Sequence, residues 1–353
     1  MELGSEFNLS LKDLNIVPDN IFEYLSGFEN CFYFDSGRSA LKHIAKHLSS
    51  SYKILLPEFI CESVINCFDK NKIEYYRLKK DFSVDTDNLQ EKIASEPKVI
   101  FLMHYFGALQ PSETLEKIHR IAKQNGSVII EDTTHSIFTQ KRTIGDYSVC
   151  SIRKWLPISG GGVLYFDQNL LNICNPDYHK TTNNTRSYGM ILKDIFINGG
   201  FDCNSEYRRI FSESEKKLDE QCEIFMISDF SKYIASCVSI GEMIERRRYN
   251  FQLLNIAMHR IGVKPVVNLD SICTPLFYPM RIKNRDDFRS YLMDNKVYCA
   301  VHWPFDNHKP GQRPFAIQNA KELISLPIDQ RYDGEYIQYL IDVVQRYGGD
   351  LSF

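Results

Sequence analysis

The sequence predicts an α/β fold built on a mainly parallel sheet, with a smaller domain after it. Three observations lead there. Apolar runs of strand length alternate with amphipathic helical stretches through the first half of the chain. One run, "KVIFLMHYFG" (98–107), is almost continuously apolar, as expected where both faces of a strand are covered. The chain has 353 residues, 43% of them hydrophobic, enough for one large domain and a smaller one.

Taken in order, "FYFDSGRSALKHIAKHL" runs from a short apolar segment through "DSGRS" into a helix with the stripe Leu41, Ile44, Ala45 and Leu48. "YKILLP" (52–57) is a compact strand, and a helical stretch with Val64, Ile65 and Phe68 follows. "IEYYRL" (73–78) is the next strand, and "DTDNLQEKIAS" a helix that Asp85 or Asp87 would cap. After 98–107, "PSETLEKIHRIAKQNG" is an amphipathic helix that Pro111 starts and Gly126 stops, its stripe Leu115, Ile118, Ile121 and Ala122. "SVIIED" (127–132), "DYSVCSI" and "GVLYF" give three more strands, the last two joined across "SGGG". Residues 168–221 are polar and poorly periodic, too long for an ordinary loop. "DFSKYIASCVSIGEMIERRRYNFQLL" reads as one long helix with Phe230, Tyr233, Ile234, Cys237 and Ile244 on a single face, connecting the large domain to the small one.

Charge and composition set limits. With 42 basic and 45 acidic residues the net charge is −3, and without a basic block a nucleic-acid partner has no electrostatic support. Arg246, Arg247 and Arg248 lie within a helical pattern and read as a solvated or ion-paired face. No apolar run reaches membrane-spanning length, and "MELGSEFNLS" lacks the plan of a signal peptide, so the expectation is a cytoplasmic protein. "GSEF" resembles a vector scar, so the first few residues are set aside from fold reasoning. Ten cysteines without paired spacing read as small buried hydrophobes in a reducing compartment. His43 and His47 stand at i, i+4 but lack a spaced third ligand, so no metal site is expected.

The polar residues that interrupt this pattern gather at strand ends, where open parallel sheets carry their chemistry. Asp132 ends its strand, His135 lies three residues on, and His104 ends the strand before. Gly37, Arg38 and Ser39 open a helix whose N–H groups could take a phosphate. Lys154 follows Ser151 and precedes the glycine run. Singly, each has an ordinary reading: a solvated loop lysine, a helix-capping aspartate, a satisfied histidine, a common turn. Together, a lysine amine, a carboxylate and a phosphate cradle are what pyridoxal 5'-phosphate requires. Two rivals find less support. Ser151-x-x-Lys154 spells SxxK and "KTT" at 180–182 faintly echoes KTG, but no SDN-like element lies between them. A dinucleotide enzyme would need GxGxxG between strand and helix, which is missing.

Several segments, in order, resemble the DegT/DnrJ/EryC1/StrS family of fold-type I aminotransferases. "DSGRSAL" is similar to the family's SGTxAL loop and "ILLPEFICESVINCF" to its strand and helix with a proline-aromatic start. "VIFLMHYFGALQP", "VIIEDTTHS" and "SIRKWLPISGGGVL" resemble its vHxyG, ieDaAhs and serine–lysine–glycine segments. "YPMRI…RSYLMDNKVYCAVHWP" and "LISLPIDQRYDGEYIQYLIDVV" resemble the end of its small domain.

The resemblance implies a large cofactor domain with a mainly parallel, seven-stranded type of sheet and a smaller C-terminal α+β domain. An N-terminal arm over 1–30, a large domain over 31–250 and a small one over 251–353 are expected. It assigns Lys154 to covalent attachment of pyridoxal 5'-phosphate and to acid–base work. Asp132 goes to the pyridine nitrogen and His135 beside the phenolic oxygen, while Ser151 and the N–H groups of Arg38 and Ser39, after Gly37, go to the phosphate. The activity it implies is transfer of an amino group, with glutamate as donor, to a nucleotide-linked keto-sugar for surface polysaccharide or related glycans. A dehydrating, regulatory or non-catalytic member is the alternative. Homodimers with shared sites are implied as well, and Tyr188, Phe196, Phe201, Tyr207, Arg208 and Arg209 are of types that anchor interfaces or bind phosphate. This chain departs from the pattern in places. Ser151 and Lys154 are closer together than is usual, Arg38 replaces a threonine, and Ser159 stands where a glutamate is common. The ring-stacking aromatic would fall at Cys61, leaving Phe59 as the substitute.

Overall fold

Alternating runs of apolar and amphipathic sequence become alternating strands and helices, in the computed structural model, over residues 2–49, 51–93, 98–178, 180–181, 184–303 and 313–351. In chain order the first elements are β1 (Leu3–Gly4), α1 (Ile21–Leu25), β2 (Asn30–Phe34), α2 (Gly37–Ala45), β3 (Lys53–Pro57), α3 (Glu62–Ile65), β4 (Ile73–Tyr76) and α4 (Thr86–Ile93). There follow β5 (Lys98–Met103), α5 (Ser112–Gln124), β6 (Val128–Asp132), β7 (Tyr147–Cys150), β8 (Gly162–Phe166), α6 (Thr185–Gly199) and α7 (Asn204–Glu220). The rest are α8 (Asp229–Ser236), α9 (Ile240–Arg260), β9 (Tyr278–Arg281), α10 (Arg285–Asp294), β10 (Val297–Tyr298), α11 (Pro314–Glu322), β11 (Leu323–Leu326) and α12 (Gly334–Gln345). The fold is α/β with a mixed, mostly parallel sheet.

Two compact units share these elements. The first comprises Met1–Ser5, Ser50–Gly145 and Glu242–Phe353. Its strands lie in the order β6-β5-β3-β4, all parallel, with Met103 opposite Asp132 at the carboxyl ends of β5 and β6. Val99, Ile100, Phe101 and Leu102 are all fully buried, which accounts for the unbroken apolar run. Asp85 starts α4, its Oδ1 accepting from the Asn88 N–H at 3.1 Å. A further core in this unit gathers Leu3, Leu254, Met258, Tyr278, Phe288, Leu292, Ile324 and Leu340. Over it β11 pairs antiparallel with β9, and β1 pairs parallel with β10.

The second unit comprises Glu6–Ser49 and Asp146–Gly241. Here β8 is paired antiparallel with β2 on one side and β7 on the other. Helix α2 buries Ala40, Leu41, His43 and Ile44. His43 is a satisfied core histidine, its ring nitrogens 3.0 Å from the Tyr178 hydroxyl and 3.0 Å from the Cys174 carbonyl oxygen.

The structure adds to two of these readings and corrects a third. The N-terminal residues set aside as vector-derived are built into the fold: Leu3 is fully buried, and Gly4 N donates to the Tyr332 hydroxyl at 2.6 Å. The span 168–221 holds two helices, α6 and α7, whose apolar contact rests on a few residues such as Tyr207, Ile210 and Phe211. Most of α7 is charged, with Arg209 pairing Glu206 and Glu213 at i−3 and i+4, so its stripe is faint in sequence. Finally, the long helix from Asp229 is two helices, α8 and α9, broken at 237–239. Asp19 makes the break. Its Oδ2 accepts from Ser239 Oγ at 2.7 Å and Gly241 N at 3.0 Å, while its carbonyl accepts from Ile240 N at 3.1 Å. A residue two hundred positions upstream thus caps α9, a signal no local window contains.

Candidate active site

In the second unit, close backbone approach shapes the region around Lys154. Ser36 caps α2, its Oγ accepting from Ser39 N at 3.2 Å and donating to Asp35 Oδ1 at 3.1 Å. The glycine run lies against this turn. Gly161 N donates to Asp35 O at 2.6 Å, and a Cβ on Gly162 would stand 2.0 Å from Ser36 O. Gly37 faces Ser151: a Cβ there would lie 3.3 Å from Ser151 Cβ. These glycines serve proximity, because a side chain would push the strand end off the helix start. Ser151 leaves β7 and leads into a single 3-10 turn, Ile152–Lys154, on which Lys154 presents an exposed side chain. Gly37, Ser39, Ser151 and Lys154 are therefore gathered at one helix start and the turn facing it.

The Arg38 side chain turns away from the helix start and toward α7. Its guanidinium donates to Asp219 at 2.6 Å and lies 3.6 Å from Glu215, both on α7. Arg153 pairs Glu215 as well, through two nitrogens at 3.1 and 3.3 Å. The Ser39 hydroxyl lies 3.3 Å from Ser36 Oγ and 3.4 Å from the Gln221 amide.

The first unit carries Asp132, His135 and Phe59. Asp132 is 6% exposed, and its Oδ1 accepts from Thr134 N at 2.8 Å, turning the chain as it leaves β6. His135 is buried, and its Nδ1 accepts from Phe106 N at 3.3 Å, which puts the hydrogen of the neutral ring on Nε2. Its ring stacks with Trp303 at 6.0 Å and 20°. Phe59, also buried, meets Trp303 at 4.8 Å and Phe82 at 5.7 Å. Trp303 thus joins Phe59 to His135, a link that sequence reasoning did not draw. Pro304 of the "VHWP" segment and Thr182 of "KTT" lie outside the described residues.

Sequence reasoning also missed Glu131, fully buried beside Asp132. It accepts from the N–H groups of Thr143, Ile144 and Gly145 at 2.7–3.1 Å, and His104 Nε2 stands 3.1 Å away. His104 Nδ1 accepts from Gln110 N at 3.0 Å, so Nε2 carries the hydrogen given to Glu131. Burial pushes the Glu131 pKa up, but the His104 hydrogen bond and the N–H groups of Thr143 and Gly145 hold it below its usual value.

These residues fit the cofactor that the sequence suggested. A cradle that a Cβ at Gly37 would crowd, an amine three residues from its opposing serine and a buried carboxylate at a strand end are the chemistry it needs. The architecture is that of the pyridoxal-phosphate-dependent transferases of fold type I. Residues 77–171 match the profile of the DegT/DnrJ/EryC1/StrS aminotransferase family. A curated relative from Aneurinibacillus thermoaerophilus, the dTDP-3-amino-3,6-dideoxy-alpha-D-galactopyranose transaminase, is 24% identical over 76% of this chain and 70% of its own. A "pleiotropic regulatory protein" of Geobacillus stearothermophilus is 22% identical over 75% of this chain and 69% of its own. A DegT DnrJ EryC1 StrS aminotransferase from Brucella abortus has the same fold, with a TM-score of 0.65 and 17% identity over 94% of this chain and 88% of its own. Other solved proteins of this fold include forms with the cofactor as PLP and as PMP. Over residues 77–171 the chain thus resembles the DegT/DnrJ/EryC1/StrS aminotransferases, and over most of its length it has the fold of solved proteins that carry pyridoxal phosphate.

Proposed function

We propose that this enzyme transfers an amino group from glutamate to a keto-sugar carried on a nucleotide, for a surface polysaccharide or related glycan. The observation that carries the reading is the seating of Gly37 against Ser151, with Lys154 three residues beyond. The named activity of the Aneurinibacillus relative supports the sugar, and its dTDP-linked product supports the nucleotide. When bound, the cofactor supplies a carbonyl that takes up the amine and a ring that accepts electrons. The chain's own residues supply the rest. Ser36 and Ser39 offer hydroxyls and the α2 N-terminus offers N–H groups to a phosphate, with Ser151 facing them. The Asp132 carboxylate would keep a proton on the pyridine nitrogen, and His135 would orient the ring's oxygen edge. Lys154 Nζ would hold the cofactor covalently, and its amine would carry a proton to and from the donor's α-carbon.

A regulatory reading has one observation of its own, the name of the Geobacillus relative. One experiment separates the two. Borohydride reduction of the cofactor-loaded protein should leave the pyridoxyl group on Lys154, and Lys154→Ala should abolish amino transfer from glutamate to nucleotide keto-sugars. An adduct on another lysine would remove Lys154 from the role. Cofactor binding with no amino transfer to any of a panel of such sugars would favour the regulatory reading.

A further inference from the structure

Three arginines from separate parts of the second unit converge on one carboxylate. Arg38 lies on α2, Arg153 on the turn after β7 and Arg186 on α6, and their contacts to Glu215 are 3.6, 3.1 and 3.3 Å. Arg153 grips it with two nitrogens, one on each oxygen, the fork geometry that reads carboxylates and phosphates. Other acids are present, but each has its own pairing. Asp219 pairs with Arg38, Glu6 pairs with Arg186, and the Asp35 carboxylate takes the Gln221 amide and the Ser36 hydroxyl. Glu215 makes an ion pair with all three arginines.

We propose that Arg38, Arg153 and Arg186 form an oxyanion-binding site for a carboxylate or phosphate group of a small ligand, and that the Glu215 carboxylate is its built-in competitor. Two further observations point to a ligand. Arg153 and Arg186 line a cavity of about 320 Å³, with Asp35, Ser159, Lys217 and Glu223 also on its walls, and that volume suits a small ligand. Lys217 adds positive charge there, while Glu223 is paired with Lys180 at 2.6 Å and Glu220, also on the wall, with Lys216 at 3.9 Å. The second observation is asymmetry. The arginine side chains are 11–18% exposed and Glu215 is 41% exposed, so the carboxylate is the member that can swing out while the cations stay. Burial raises the Glu215 pKa, yet Arg153, Arg186 and Arg38 together hold it down at about 2, so it competes as an anion at any working pH. Arg38 adjoins Gly37 and Ser39, and Arg153 adjoins Lys154, so an anion held here would lie beside the proposed chemistry. If the transaminase reading holds, the donor's carboxylate is the natural occupant, but the site itself does not depend on that reading.

Calorimetry on the cofactor-loaded protein tests this with two probes that cannot react, glutarate and inorganic phosphate. With the cofactor's own phosphate in place, neither probe can report on the α2 cradle. Glu215→Gln should tighten one probe by about tenfold, and adding Arg186→Gln to it should reverse the gain. Preference for glutarate marks a carboxylate site, and preference for phosphate marks a phosphate site. Should Glu215→Gln fail to fold, Glu215→Asp, which withdraws the charge by one methylene, should give the same change in smaller measure. Unchanged or absent binding of both probes in the folded variant, with only a lowered melting temperature, would reduce the cluster to a structural ion pair and overturn the proposal. Because binding is read without turnover, that result leaves the transaminase reading standing or falling on its own test.

Discussion

Glu131 and Asp132 are neighbours on one strand, so their side chains point to opposite faces and do opposite work. Asp132 was legible because a carboxylate ending an apolar strand stands out. Glu131 was not, since its partners are the N–H groups of 143–145, which no spacing rule connects to it. Those bonds fix the segment that leads into β7. Glu131→Gln should therefore lower stability by about 1–3 kcal/mol at pH 7, read from chemical unfolding. The pH dependence has a definite sign. The folded pKa of Glu131 lies below the ordinary 4.5, so its contribution is complete above that value and is lost as pH falls through the depressed one. The variant should show a flatter loss of stability in acid than the parent does, and an identical acid profile would refute this account. Asp132→Asn, by contrast, should leave the melting temperature close to that of the parent and slow turnover by orders of magnitude. Near-normal turnover would dismiss Asp132 from the pyridine nitrogen.

At the scale of elements, local periodicity marked β3, β5, β6, β7, β8 and α5, because each carries its own apolar pattern. It failed where a distant group decides. Asp19 interrupts what reads as one helix, and its carboxyl is held below the usual range by Ser239 and the Gly241 N–H. Removing that cap by Asp19→Ala should lose about 1 kcal/mol at neutral pH. The loss should shrink in acid, since a depressed folded pKa confers stability only above it. Helices α6 and α7 failed for another reason: they meet through a narrow contact. A Cβ on Gly189 would stand 2.8 Å from Ile210 Cγ2 and 3.2 Å from Phe211 Cε1. Gly189→Val should force these chains apart at about 1–3 kcal/mol, whereas Gly199→Ala, close to nothing but Ile195 at 3.7 Å, should not. Equal melting temperatures for the two variants would contradict the crossing. The cluster around Glu215 was hidden by the same failure, since Glu215 and Asp219 fall on one face only once α7 is known to be a helix.

For the molecule as a whole, the expected division at 250 and the homodimer remain proposals that simple measurements reach. Residues 251–353 carry their own apolar core, to which Leu3 and the end of α9 contribute. Limited proteolysis should yield fragments bounded near 245–260 if that core behaves as a small domain. Of the interface anchors expected in 168–221, Tyr207 is buried inside the hairpin, while Tyr188 and Phe201 are 54% and 68% exposed. The latter two are the aromatic groups left to meet a partner. Tyr188→Ser with Phe201→Ser should shift light scattering from dimer to monomer and lower activity in parallel. A parent that is a fully active monomer at assay concentration would end the shared-site idea.

Strand β1 closes the chain on itself in time as well as in space. Leu3 and Gly4 are made long before their partners: Val297 and Tyr298 follow 294 residues later and Tyr332 follows Gly4 by 328. Until those emerge, a buried-to-be leucine and a glycine with φ of +81° have nothing to pair with. Closure over such a span is slow, because a long loop's entropy must be lost before any contact rewards it. This end of the molecule should thus be the last part to acquire protease resistance during synthesis. Deleting residues 2–5 should speed that final step and leave a faster-unfolding product, and pulse proteolysis of nascent chains of graded length would record both.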